Sequence, residues 1–162
     1  MRKAILAVLI LATSAFAKFG PPWISIEYPG NPYDQSAKDA YLFVHTYHHG
    51  TPVENPVSGT AEGIVRGERK TVSLAFKTTS RPGVYSLARQ WAPEGVWTLV
   101  IAGTQGGGEN NTAYAIVEID RTGVVSSVRV PTTRRNNYTV PAPVEMKDVE
   151  KALTARAAIA AR

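Results

Sequence analysis

The sequence predicts an all-β fold: an antiparallel Ig-like β-sandwich of seven to nine strands with a short C-terminal α-helix. Three observations point there. From Lys18 onward apolar residues alternate with a period of two; turn residues divide the chain at intervals of about 8–12 residues; helical spacing appears only at the C-terminal end.

The elements follow in order. Residues 1–17, MRKAILAVLILATSAFA, read as a secretory signal peptide: Arg2 and Lys3, an apolar run, then Ala15-Phe16-Ala17 with small residues at the recognition positions. The run is shorter than the ~20 residues of a spanning helix. Cleavage is expected after Ala17, leaving no transmembrane segment. The strands expected next are WISIEY (23–28), AYLFVHTY (40–47), TVSLAFK (71–77), GVYSLARQW (83–91), GVWTLVIAG (95–103), AYAIVEID (113–120) and VVSSVRV (124–130). Each is rich in β-branched or aromatic residues. Between them stand PGNP (29–32), HGTP (49–52), RPG (81–83), PEG (93–95) and DRTG (120–123), which carry turn chemistry. Residues 53–70 alternate less regularly and predict one or two short edge strands, where Pro52 and Pro56 lack an amide proton. The sandwich is thus expected over 18–133, a linker over 134–144, and a helix or tail over 145–162.

In the tail, Val149, Leu153, Ala157 and Ala160 recur at helical spacing among good helix formers. That face is mostly alanine, which predicts a frayed or loosely laid helix. Lys151, Arg156 and Arg162 lie toward its C-terminus, where the macrodipole favours cations. The expected core is Ile24, Ile26, Leu42, Val44, Val72, Leu74, Phe76, Tyr85, Leu87, Trp97, Leu99, Ile101, Ile116 and Val117. Ile116 and Val117 are adjacent and cannot both face inward.

Composition narrows the function. Removing the leader leaves 16 basic and 13 acidic side chains, a net charge of +3. That suits solubility and lacks the charge footprint of a nucleic-acid binder. No cysteine occurs, which excludes thiol catalysis and thiolate metal sites and leaves stability to the apolar core.

All three histidines fall in HTYHHG: His45, His48 and His49. In a regular strand His45 and His48 point to opposite faces, and His45 and His49 stand ~13 Å apart. A copper or zinc ion, with ligand bonds of ~2 Å, needs the turn at HGTP to fold these imidazoles together. The plainer reading is a polar strand end beside a hairpin, with no cofactor. The only methionine beyond the leader, Met146, sits in the tail.

Catalytic motifs are missing. There is no GxSxG, no P-loop and no HExxH. Gly106-Gly107-Gly108 opens no helix, so it reads as a hairpin loop rather than a phosphate cradle. Glu94, Glu109, Glu118 and Asp120 form no obvious catalytic pair, although a sandwich can assemble a carboxylate-based hydrolase from distant residues. Candidate ligand or partner surfaces are Trp23 and Trp91, if they lie side by side, and Arg134-Arg135 beside Tyr138.

Residues 39–60, DAYLFVHTYHHGTPVENPVSGT, and 82–101, PGVYSLARQWAPEGVWTLVI, resemble extracytoplasmic Ig-like modules of the YtkA-like/FixH and CopC-like kind, and also carboxypeptidase regulatory-like (transthyretin-type) domains. The resemblance implies the sandwich and an extracytoplasmic location. The copper ligands of CopC-like proteins, N-terminal histidines and a Met-rich segment, have no counterpart here. The expectation is a non-catalytic binding or accessory module of the bacterial envelope, periplasmic or secreted, with an envelope protein or glycan as partner and no nucleic acid. A periplasmic copper- or zinc-binding protein using HxxHH is the alternative, and a hydrolase a third.

Overall fold

A computed structural model of the chain describes residues 20–31, 33, 38–106 and 111–160. The signal-peptide reading, most of the glycine run, Glu109 and Arg162 lie outside the described residues.

The chain is mostly β: two antiparallel sheets pack face to face, with one C-terminal helix. Alternation and hairpin turns produce β1 (Pro22–Glu27), β2 (Leu42–His48), β3 (Thr51–Pro52), β4 (Val57–Val65), β5 (Glu68–Ser73), β6 (Lys77–Thr78), β7 (Val84–Leu87), β8 (Val96–Thr104), β9 (Thr112–Ile119) and β10 (Val125–Arg129). The first sheet, A, has the order β1-β2-β7-β6 with β3 also paired to β2. The second, B, has the order β10-β9-β8-β4-β5. Among the described residues the two sheets hold ten strands, of which β3 and β6 are two residues long. Beyond them come a ribbon of β11 (Thr132–Arg135) and β12 (Tyr138–Pro141), and the helix α1 (Met146–Ala160).

Three local expectations change. First, β4 is an interior nine-residue strand, paired to β8 and β5, not an edge. Its small residues weaken the strand pattern for a packing reason: a Cβ on Gly63 would lie 2.4 Å from the Trp97 ring, so glycine makes room for the indole. Second, TVSLAFK is not one strand. It ends β5 in sheet B, crosses at Leu74–Phe76, and begins β6 in sheet A. The crossing still buries Leu74 and packs Val72 and Phe76 against the core. Third, the stretch 134–144 contains most of the ribbon rather than a plain linker.

The core between the sheets contains Ile24, Leu42, Val44, Leu87, Trp97, Leu99, Ile101 and Val117. Ile116 is also buried, on the opposite face of β9. Sheet B is therefore covered on both sides, and this resolves the ambiguity of the adjacent pair. Helix α1 supplies the cover over β4 and β8. It buries Val149 and Leu153, the latter with 0% exposure, so it is docked rather than frayed.

Its last turn holds no basic residue. Arg156 instead turns toward the sheet, donating to the main-chain oxygens of Trp97 (3.1 Å) and Ile119 (3.3 Å) and to Thr98 Oγ1. Burial lowers the pKa of this guanidinium, and Glu118, 3.8 Å away, opposes that by favouring the charged form.

Candidate functional site

Strand β2 distributes its histidines over both faces of sheet A. Phe43, His45 and Tyr47 point outward; Leu42, Val44, Thr46 and His48 point toward the core. On the outer face His45 Nε2 donates to Glu27 Oε2 at 2.8 Å, and Arg81 donates to the same oxygen at 3.2 Å. Glu27 sits diagonally across from His45, because its direct partner in the register is Phe43. Burial alone would raise the Glu27 pKa; the bonds from His45 and Arg81 outweigh it and hold the carboxyl below the ordinary value. The His45 ring stacks near-parallel to Tyr47, with centroids 6.2 Å apart. Tyr47 faces Trp23 across the strands, and Trp23 is 37% exposed.

His48 and His49 sit at the end of β2. The pairing of His48 with Thr51 leaves a two-residue hairpin of His49 and Gly50, both with positive φ (51° and 76°). This is the arrangement of a type I′ turn. His48 and His49 lie together, ring centroids 4.3 Å apart. His45 is not with them. Among the described residues no group of three His, Cys, Asp or Glu side chains is placed to hold a metal ion.

The other candidate residues separate. Trp91 is 5% exposed and belongs to the core. It makes an edge-on contact with Tyr41 (5.1 Å), so the surface pairing with Trp23 does not form. Arg134 and Arg135 lie on β11, paired to Thr139 and Tyr138. Arg135 lines a cleft of about 430 Å³ at the edge of the ribbon, together with Tyr114, Thr112, Thr133 and Asn111. Pro21, Val140, Pro141 and Pro143 form its apolar part, and Gly20 lies at the same site. Arg134, one residue along, is not among the lining residues.

Sequence reasoning missed this cleft. Tyr114 looked like one more alternating strand residue, and the prolines looked like linker. Only Arg135 carried a visible signal.

The carboxylates on the outer face of sheet B are tied down. Glu62 Oε2 accepts from Arg69 (2.8 Å) and Thr71 (2.6 Å), and Glu118 pairs with Arg129 at 3.5 Å. Each is engaged by a cationic side chain of its own sheet.

No family model matches the chain, and no curated protein or solved structure matches it either. What defines the molecule is therefore its own geometry: a β-sandwich with a ribbon cleft and a histidine-bearing strand end.

Proposed function

We propose that this protein is a non-catalytic binding module of the bacterial envelope, exported by its leader and built on an Ig-like sandwich. Its ligand is a carboxylate-bearing glycan held in the ribbon cleft. The observation that carries this reading is the lining of the cleft. One guanidinium, Arg135, stands among hydroxyl and amide groups of Thr112, Thr133 and Asn111, beside an apolar wall of prolines. A guanidinium fork matches a carboxylate, the hydroxyls match sugar hydroxyls, and the proline and Tyr114 surfaces suit the apolar face of a pyranose ring. The volume lies in the range of small-ligand sites of about 300–1,000 Å³.

The test is retention of envelope glycans, neutral and acidic, on the immobilised chain and on its Arg135→Ala variant. Acidic glycan should be retained by the first and lost by the second. Retention of an envelope protein with no glycan would replace the glycan as ligand. Turnover of a retained glycan would end the non-catalytic reading.

A further inference from the structure

The ribbon carries the guanidinium of the cleft on the same side as an aromatic ring that the cleft itself does not use. Arg135 and Tyr138 are direct partners in the register, the last pair before a turn of Asn136 and Asn137, where Asn136 takes φ 55°. Residues paired across two strands stand on one face, with Cβ atoms about 5 Å apart. Arg134, paired to Thr139, takes the opposite face. From the base of the ribbon toward its tip, the lining of the cleft runs from Thr133 and Val140 to Arg135, and so reaches the level of Tyr138.

Neither side chain is engaged within the fold. Tyr138 is 75% exposed, whereas Tyr28, Tyr41 and Tyr85 pack against the core. Among the described residues, the Arg135 guanidinium and the Tyr138 ring have no ion pair, side-chain hydrogen bond or ring contact. Arg69, Arg129 and Arg156 each meet a carboxylate. The ribbon offers none, because no Asp or Glu occurs between Asp120 and Glu145. Strands β11 and β12 pair only with each other, and every residue of β11 is exposed. A lone two-stranded ribbon is marginal in water, and burial does not account for a tyrosine at its tip.

We infer that the glycan continues past the cleft onto the ribbon. Its ligand is a chain of sugar units, not a single one: an acidic unit sets its carboxylate on Arg135, and the next stacks the apolar face of its ring on Tyr138. This rests on the glycan reading of the cleft and narrows it from a sugar acid to an acidic oligosaccharide. A tyrosine ring suits the role, because it presents a large amphipathic face and loses few torsions on binding. The fork of the guanidinium fixes the orientation of the carboxylate, which sets where the neighbouring unit falls. The consequence is selectivity for chain length. A monosaccharide acid reaches the guanidinium but leaves the Tyr138 ring bare.

The experiment is calorimetric titration of the full chain with galacturonic, glucuronic and mannuronic acid, each as the monomer and as the linear trimer. At least one trimer should bind about tenfold or more tighter than its monomer. Tyr138→Ala should remove that gain and leave the monomer within about twofold, while Tyr138→Phe, which keeps the ring, should retain it. Arg135→Ala should weaken monomer and trimer alike. Arg134→Ala, on the other face, should change both less than about twofold. Proton NMR of the bound trimer should show ring-current shifts on one sugar unit, absent in Tyr138→Ala. Both ribbon side chains are exposed, so every variant should melt with the parent. A trimer bound no tighter than its monomer, or a gain that survives Tyr138→Ala, overturns the ribbon subsite and leaves the glycan reading standing. Equal losses in Arg134→Ala and Arg135→Ala overturn the face-specific grip in favour of diffuse charge attraction. No binding of any of these acids overturns the glycan reading and the subsite together.

Discussion

At the scale of single residues, the molecule places polar groups where only specific partners make burial tolerable. Glu27 is the clearest case. Its folded-state pKa lies below the ordinary 4.5, so its contribution to stability is complete above that value and is lost as pH falls through the lowered one. The group is partly exposed, so about 1 kcal/mol or less is at stake. Urea midpoints measured from pH 3 to 6 should therefore fall more steeply in acid for the parent chain than for Glu27→Gln. Equal slopes would remove Glu27 from the acid response. Tyr41 behaves in the opposite sense. Burial, with Tyr28 beside it, pushes its phenol up to about 12, and its hydroxyl donates to Gly123 O at 2.8 Å. Ultraviolet difference titration should show one tyrosine ionising near that value, absent in Tyr41→Phe. That variant should also lose about 1 kcal/mol of stability.

These residue-scale features were only partly legible in the sequence. Alternation correctly separated His45 from His48, because the two faces of a strand follow from local backbone geometry. It could not reveal that His45 meets Glu27, 18 residues away, or that Gly20 lies against His48 and His49. Those contacts come from the pairing of β1 with β2, which brings Pro22 opposite His48. Trp91 failed for a similar reason. Its position at a strand end suggested exposure, but Tyr41 and the Arg89 side chain close over it.

At the scale of elements, β4 and α1 carry the main surprises, and both depend on sheet B being buried on two faces. Gly63 in β4 yields its side-chain space to Trp97. Gly63→Ala should destabilise the chain by about 2 kcal/mol or more through overpacking, read as a lowered urea midpoint. A change under a few tenths would mean that the indole moves aside freely. The helix was legible from its spacing, and Val149 and Leu153 are the residues it buries. What it packs on was not legible, because the outer face of sheet B mixes Val96, Val100 and Ile116 with Glu62, Thr98 and Glu118. Such a face reads as half-solvated. Its polar groups are satisfied by residues that arrive later in the chain, Arg156 among them, and by Arg69 and Thr71 of β5.

At the scale of the whole molecule, the helix is part of the structural unit. A chain ending at residue 145 would uncover Val96, Val100 and Ile116 and leave Glu118 without Arg156. It should melt at lower temperature and bind a hydrophobic dye that the full chain does not bind. A truncated chain with the same melting temperature and no dye binding would show that α1 adds nothing to the stability of the sandwich.

By itself the sequence determined the β class, the hairpin punctuation, the C-terminal helix and most of the interior side chains. All of these follow from interactions over a few residues: alternation across a pleat, glycine and proline at turns, helical spacing. Tertiary structure decided that β4 lies inside a sheet, that Ile116 and Val117 are both buried on opposite faces, that Arg135 faces a cleft, and that His48 and His49 meet over Gly20 without His45. Each of these depends on which distant segments pair and what then covers them, and burial of that kind is a property of the packed layers rather than of any one stretch of chain.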